Sequence, residues 1–347
     1  MYILIAILLF SLLIAVHEFG HFITAKLCGV RVLEFAIGMG PAVWKKQGRE
    51  TLYSLRLLPI GGYCAMEGED EASEDPRAFS AQHPLKKILI LAAGAALNFV
   101  FGLLLLLIVF AYEPPQTNEI TGFMDGCPYE SAQGFQVGDE ILSIDGHAIY
   151  VTSDVSLFLN QGNGVHDIVV KRDGAKVALN NFELVPRQYG EAEGLKYGLY
   201  FGALADTPME ILRYTWNYGL NFTRSVWMSL KEFASGKHGV NELSGVVGIV
   251  DVMNDVGQAS ESTYVALLNL LYFGAFIAVN LAVMNLLPIP ALDGGRIFFL
   301  LVLWPIELIL GRKPDPKYEG YIHSVGLALL MALMIYVMFN DVLRIVG

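Results

Sequence analysis

Long apolar runs alternate with polar segments along the 347 residues of this chain. A helix needs about 20 mainly apolar residues to cross a bilayer. Four runs reach that length, over residues 1–25, 88–112, 264–287 and 321–339, and a Pro-Pro pair ends the second. The pattern therefore predicts a polytopic α-helical membrane protein with about four transmembrane helices.

The first run could also be a cleaved signal peptide, which has a basic start and a short apolar core. This run has no basic residue before its apolar stretch, and the stretch continues through residues 17–21 to Ala25. We therefore interpret residues 1–25 as a membrane span.

Basic residues are concentrated in two of the loops between spans. These are Lys26, Arg31, Lys45, Lys46, Arg49, Lys86 and Lys87 between spans one and two, and Arg296, Arg312, Lys313 and Lys317 between spans three and four. Loops rich in lysine and arginine remain in the cytoplasm. The distribution predicts that both termini, and the segment between spans two and three, lie outside the cytoplasm.

That intervening segment, residues 113–206, has the pattern of a small β-rich domain. Residues 138–146 alternate apolar and polar side chains and end in an Asp-Gly turn, and 166–170 and 176–179 are strand candidates around a second Asp-Gly pair. Residues 151–159 fit a short helix.

The sequence Gly-Asp-Glu-Ile-Leu-Ser-Ile-Asp-Gly at 138–146 resembles a bacterial PDZ domain, although residues 127–132 depart from the usual Ser-Pro-Ala run. The resemblance implies a groove that accepts an extended peptide as an added strand. A folded spacer whose groove binds nothing is the alternative.

Residues 208–234 have helical periodicity, with aromatic and basic side chains together. This mixture fits a helix in the membrane interface, or an amphipathic helix packed on the PDZ-like domain. The predicted organisation is an N-terminal membrane half (1–112), the PDZ-like domain (113–206), an interfacial helix with its connector (207–262) and a C-terminal membrane half (263–347).

Composition agrees with a membrane protein, since 54% of residues are hydrophobic. The net charge is −11, and residues 113–206, with 14 acids and 5 bases, carry −9 of it. This charge argues against nucleic acid as a partner. Cys28, Cys64 and Cys127 are too far apart to indicate a disulfide framework or a thiolate zinc site.

Residues 17–21 read His-Glu-Phe-Gly-His within the first span. Two histidines four apart leave the same face of a helix and can bind one metal ion, and Glu18 beside them can accept a proton from water. Ionisable side chains inside a span are costly, and a zinc ion would account for them. Histidines hydrogen-bonded between helices are the alternative, but they leave Glu18 unexplained.

A catalytic zinc takes three protein ligands and keeps one position open. Asp293 is the best candidate for the third, because Pro288 and Pro290 break the helix ahead of it at the depth predicted for His17 and His21. Irregular backbone at that depth is tolerated only where protein or water surrounds it. The alternative is an ordinary turn in which Asp293 caps the next helix.

Further motifs extend over nearly the whole chain. They are Gly-Met-Gly-Pro at 38–41, Leu-Pro-Ile-Gly-Gly-Tyr at 58–63, Ala-Gly-x-x-x-Asn-Phe at 93–99, Leu-Ser-Gly-Val-Val-Gly-Ile at 243–249 and Asn-x-x-Pro-x-Pro-x-Leu-Asp-Gly-Gly at 285–295. With the histidine motif they resemble the site-2 protease family, in particular its bacterial PDZ-containing members. The sequence departs from that family at Val246, where proline is usual, and in having one PDZ-like domain where some members have two.

The resemblance implies an intramembrane zinc metalloprotease with Zn²⁺ on His17, His21 and Asp293, Glu18 as general base, and Asn285 positioning substrate or oxyanion. An amide at Asn285 could equally cap the carbonyls of a broken helix. For Asn98, hydrogen bonding between helices is the favoured role.

Residues 52–57 and 63–66 are predicted to form a hairpin around 59–62. The resemblance implies that this loop dips into the membrane and that Gly61, Gly62 and Tyr63 pair with an unwound substrate strand. An ordinary cytoplasmic hairpin is the alternative.

The resemblance further implies a bacterial cytoplasmic membrane location, with an active site towards the cytoplasm. The implied substrates are transmembrane proteins, either anti-sigma factors or signal-peptide remnants, cut first outside by a site-1-type protease. The PDZ-like domain would then admit only substrates whose outer domain has been removed.

Two other functions fit part of the pattern. A transporter also has broken helices and carboxylates at membrane depth, but four spans without an internal repeat do not favour one. A catalytically silent peptide-binding scaffold would have no use for both Glu18 and Asp293.

Overall fold

The computed structural model describes residues 1–69, 73–190, 194–204, 207–237, 239, 244–310 and 316–346. Within them, four helices are long and apolar enough to cross a membrane: Tyr2–Leu27, Pro84–Tyr112, Thr263–Asn285 and Gly320–Arg344. These candidate spans coincide with the four predicted ones. Leu243, Arg312, Lys313 and the domain boundary at Asp206 lie outside the described residues.

The helices are α1 Tyr2–Leu27, α2 Pro84–Tyr112, α3 Thr152–Gln161, α4 Pro208–Ala234, α5 Val246–Ala259, α6 Thr263–Asn285, α7 Asp293–Leu310 and α8 Pro316–Val346. The strands are β1 Val32–Gln47, β2 Leu52–Met66, β3 Gln116–Phe123, β4 Glu140–Ile144, β5 His147–Ala148, β6 Val165–Arg172, β7 Ala175–Glu183 and β8 Leu199–Ala203. They form two compact units, a membrane unit of residues 1–105 with 225–347 and a β-rich unit of residues 106–224.

In the membrane unit, α1 packs against two other helices at points where small residues permit close contact. A Cβ atom added to Gly20 would lie 2.5 Å from the carbonyl oxygen of Ala93 on α2, and one added to Gly274 of α6 would lie 2.4 Å from Leu9. Such approach is possible only without a side chain. The middle of α1 is therefore held against both α2 and α6.

Strands β1 and β2 form their own sheet, and the predicted pairing of residues 52–57 with 63–66 is wrong. Ala36 of β1 pairs with Ser54 on one side and with Tyr63 on the other, so β1 separates the two predicted partners. Residues 62–66 pair with β1 alone among the described strands, and they form an edge of this sheet.

The β-rich unit contains a sheet with strand order β7-β6-β4-β3-β8, and β5 pairs with β4. The predicted strands and helix of this region are all found, as β4, β6, β7 and α3. Asp145 and Asp173 adopt φ values of 49° and 51° in the two Asp-Gly turns. These turns join strands whose inward side chains, such as Ile141, Ile144 and Ile168, are buried.

The first part of α4 packs within the β-rich unit. Tyr214 is buried and donates a 2.8 Å hydrogen bond to Asn118, and Arg224 pairs with the fully buried Asp154 of α3. The Arg224 guanidinium also lies over the rings of Tyr150 and Phe158, 4.6 and 5.0 Å from their centroids. These contacts extend the compact unit to residue 224.

Candidate metal centre

His17 and His21 lie one turn apart on α1 with their imidazoles edge to face, 4.7 Å between ring centroids. Their Nε2 atoms are 3.1 Å apart. Oδ2 of Asp293, the first residue of α7, lies 3.2 Å from Nε2 of His17 and 3.3 Å from Nε2 of His21. The structure thus brings together the three residues proposed from sequence, although 272 positions separate His21 from Asp293.

These separations fit a tetrahedral zinc site. With zinc–ligand bonds of about 2.05 Å, tetrahedral geometry places neighbouring ligand atoms about 3.3 Å apart. Two imidazoles and one carboxylate are also the donor set of several zinc hydrolases. The triangle formed by the two Nε2 atoms and Oδ2 can therefore hold one ion and leave a fourth position open.

Helix α2 fixes the orientation of the imidazoles. The Ile90 carbonyl accepts a 2.9 Å hydrogen bond from Nδ1–H of His21, which leaves the Nε2 lone pair available to a metal ion. Gly94, one turn later, lies directly against both rings: an added Cβ would be 2.4 Å from Nε2 of His21 and 2.8 Å from Cε1 of His17. The sequence motif includes Gly94, but its contact with the histidines is visible only in the fold.

The Gly-Gly pair after Asp293 has a comparable role at the start of α7. Added Cβ atoms would lie 2.3 Å from the Leu286 carbonyl oxygen at Gly294 and 2.2 Å from that of Ile289 at Gly295. Side chains at these positions would push α7 away from the end of α6. The glycines therefore let Asp293 reach the histidines.

Glu18 lies between the three ligands and the edge of the β1–β2 sheet. It is within electrostatic reach of His17, His21 and Asp293, and the backbone of Cys64 forms a hydrogen bond with its side chain. A Cβ on Gly62 would lie 3.2 Å from Cγ of Glu18. The carboxylate is thus adjacent to the metal triangle and to the edge strand at residues 62–66.

The three residues of the predicted substrate loop differ in their position relative to Glu18. Gly61 has a φ of 86° and turns the chain into the edge strand, where Gly62 lies next to Glu18. Tyr63 directs its hydroxyl group to Arg56, which also bonds Glu34 at 2.8 Å. Of the three, Gly62 is therefore the residue that contacts the proposed catalytic group.

The two asparagines differ in their surroundings. Asn285 is the partly buried last residue of α6, eight positions before Asp293. Asn98 on α2 is fully buried, and neither of its amide atoms has a hydrogen-bond partner among the described residues. The hydrogen bond between helices proposed for Asn98 is thus not found within the part of the chain that the structure describes.

Comparison with known proteins agrees with this site. The family model of peptidase family M50 matches residues 5–333. Proteins named as zinc metalloproteases in Clostridium acetobutylicum and Clostridium perfringens are each 38% identical, over 98% and 99% of this chain and 97% and 99% of their own lengths.

A third relative, the regulator of sigma-W protease RasP of Bacillus subtilis, is 27% identical over 98% of this chain and 97% of its own length. The match to the family model covers nearly all of the chain, including all four candidate spans up to residue 333 and the proposed ligands. This chain belongs to peptidase family M50, the site-2 protease family, and is a zinc metalloprotease.

Proposed function

We propose that this protease cuts peptide bonds within transmembrane segments, using zinc held by His17, His21 and Asp293 with Glu18 as general base. The observation that carries the proposal is the triangle of ligand atoms, with sides of 3.1, 3.2 and 3.3 Å. It is built from the middle of a candidate span and from the helix that follows another span.

When bound, zinc would polarise the scissile carbonyl and make water a stronger nucleophile. Glu18, in contact with the edge strand on one side and close to the ligands on the other, accepts the proton of the attacking water. It then delivers that proton to the nitrogen of the leaving amine. Ile90 and Gly94 keep the imidazoles in place during this cycle.

A transmembrane substrate must unwind before water can reach its carbonyls, because a helix hydrogen-bonds them internally. The edge at residues 62–66, which pairs with no second strand among the described residues, would supply backbone partners for an unwound segment. Since Gly62 borders Glu18, a peptide paired there would run next to the general base. We therefore propose Gly62, with Gly61 and Tyr63, as the place where the substrate strand is held, and assign Asn285 to positioning its carbonyl.

We further propose that the chain lies in the bacterial cytoplasmic membrane, with both termini and the β-rich unit outside. Loop charge supports this orientation. The substrates would be anti-sigma factors or signal-peptide remnants already cut outside by another protease. The RasP relative, named as a regulator of sigma-W, favours the first class.

The β-rich unit carries a cavity of about 830 Å³ that fits the proposed PDZ-like role. It is lined by Ser153, Ser156 and Asn160 of α3 and by Lys196 and Tyr197 on the approach to β8. Among the described strands, β8 is the last of its sheet, and its outer edge would be the place where a peptide backbone pairs. A groove of this kind would bind the part of a substrate that remains outside the membrane after the first cut.

The test is a reporter with one transmembrane segment and a truncated outer domain, co-expressed with wild-type protein or with Glu18→Gln. We expect a cut within the reporter's span only with the wild type. Equal cutting by both proteins would refute the assignment of Glu18. The zinc content of both proteins, measured in parallel, shows whether an inactive sample is correctly loaded.

A further inference from the structure

Helix α7 carries an ion pair one turn after Asp293. The guanidinium of Arg296 contacts Oε1 of Glu69, which lies three residues beyond the end of β2. The two side chains are only 29% and 17% exposed. Charged side chains that are buried to this extent are costly unless they are paired. The contact therefore restrains the two segments that carry them.

The same carboxylate also bonds the end of the edge strand. Oε2 of Glu69 accepts a 3.4 Å hydrogen bond from the backbone N–H of Met66, the last residue of β2. Glu69 therefore joins the strand proposed to hold substrate to the first turn of the helix that begins with Asp293. One side chain links both halves of the proposed active site.

The two residues before Glu69 are held by backbone hydrogen bonds. The N–H of Phe79 donates to the Glu67 carbonyl at 2.7 Å, and the N–H of Ser80 donates to the Gly68 carbonyl at 3.2 Å. These bonds hold the two residues before Glu69 against the segment that leads into α2. The backbone that carries the Glu69 carboxylate is thus restrained on its N-terminal side.

The start of α7 needs such a restraint, because irregular chain separates Asp293 from α6. Ile297 and Leu300 pack on a buried cluster that includes Ala25 and Met66, which sets the distance of α7 from its neighbours. Apolar contacts are not directional, so they control rotation of the helix about its axis poorly. With side chains about 5–6 Å from that axis, a rotation of about 10° moves a ligand atom by about 1 Å.

We propose that Glu69 and Arg296 are positioning residues that set the rotation of α7, and with it the place of the Asp293 carboxylate relative to His17 and His21. Residues three apart lie on the same side of a helix, so holding Arg296 also holds Asp293. The inference rests on the proposed function, which makes Asp293 a zinc ligand.

The test measures zinc affinity of the purified full-length chain by competition with a chromophoric chelator. The variants are Glu69→Gln, Arg296→Gln, the double variant and the charge-conserving Arg296→Lys. Arg77→Gln is the matched control, because its ion pairs with Glu50 and Asp75 do not involve α7. The melting temperature of the zinc-free protein is recorded for each, since a purely structural role would lower it.

We expect each neutral single variant to raise the zinc Kd by about 10-fold or more, as for other groups that orient a metal ligand. The double variant should bind zinc with about the same Kd as the single variant that binds it less tightly. Arg296→Lys should recover most of the zinc affinity. The control should keep the zinc affinity of the wild type, and the double variant, which leaves neither charge unpaired, should keep the zinc-free melting temperature of the wild type. If Glu69→Gln does not fold, Glu69→Asp replaces it, since its shorter carboxylate cannot span both partners.

Unchanged zinc affinity in folded single variants would overturn the proposal. A fold-change in zinc Kd of the double variant equal to the product of the two single fold-changes would also overturn it. Asp293→Asn separates this failure from a failure of the proposed function. If Asp293→Asn binds zinc as tightly as wild type, the ligand assignment itself is wrong and both proposals fall. If Asp293→Asn loses zinc and the pair variants do not, only the positioning role is wrong.

Discussion

Substitution of Gly94 by alanine probes how closely α2 controls the metal site. The new Cβ would lie 2.4 Å from Nε2 of His21 and 2.8 Å from Cε1 of His17. Nonbonded atoms normally stay about 3.5 Å apart, so an imidazole or the helix must move by about 1 Å. Zinc–ligand distances in a working site hold to about 0.2 Å. The required movement is several times larger than the site tolerates.

We therefore expect Gly94→Ala to weaken zinc binding about 100-fold, the upper end of the effect of disturbing a group that orients a ligand. That factor corresponds to about 2.7 kcal/mol. The assay is chelator competition on purified full-length protein, with helix content measured by circular dichroism. Cleavage should fall in parallel when zinc is limiting.

Gly102→Ala is the matched control on the same helix. Its Cβ would meet Val279 at 3.0 Å and the Ala275 carbonyl at 3.1 Å, which crowds the α2–α6 contact without touching a histidine. It should reduce stability by about 1–3 kcal/mol through overpacking and keep zinc affinity. The reasoning fails if Gly94→Ala binds zinc as tightly as wild type, or if both variants lose zinc equally.

Three further substitutions test other parts of the account. Asp154→Ala removes the fully buried partner of the partly buried Arg224 and should destabilise the β-rich unit by about 3 kcal/mol. Hydrogen exchange of its sheet measures this, and unchanged protection would contradict it. Burial raises the pKa of Asp145, but hydrogen bonds from His166 and a backbone N–H outweigh it and hold the pKa below its usual value. This stabilisation is complete above the unfolded pKa of about 3.9 and is lost as pH falls through the lower folded pKa. Asp145→Asn should therefore reduce the loss of hydrogen-exchange protection at acid pH. An unaltered dependence of protection on pH would refute the link. Gly295→Ala should displace the start of α7 and reduce zinc content, because its Cβ would lie 2.2 Å from the Ile289 carbonyl oxygen; full zinc content by elemental analysis would show that α7 can adjust.

The local features of the fold follow from sequence because each has a local cause. Apolar runs of sufficient length predict the four spans, and the Asp-Gly pairs predict turns that adopt positive φ at Asp145 and Asp173. The spacing of His17 and His21 requires a shared helix face. Asp293 follows from sequence because Pro288 and Pro290 break the helix just ahead of it.

Features that depend on distant segments were missed. The pairing of residues 52–57 with 63–66 failed because β1 inserts between them, and glycines and a proline at 38–41 obscure the alternation of β1. Helices α5 and α7 were not predicted as separate elements, because α5 has only 14 residues and α7 contains Pro305, which argues against a continuous helix. The Glu69–Arg296 pair joins residues 227 positions apart, which no local pattern reveals.

The most direct test of the central claim is the zinc content of purified wild-type, Glu18→Gln, His17→Ala and Asp293→Ala proteins. We predict one zinc ion per chain in the first two, because Glu18 is a base and not a ligand, and a large loss in the last two. Retention of zinc by Asp293→Ala alongside its loss from His17→Ala would contradict the three-residue site.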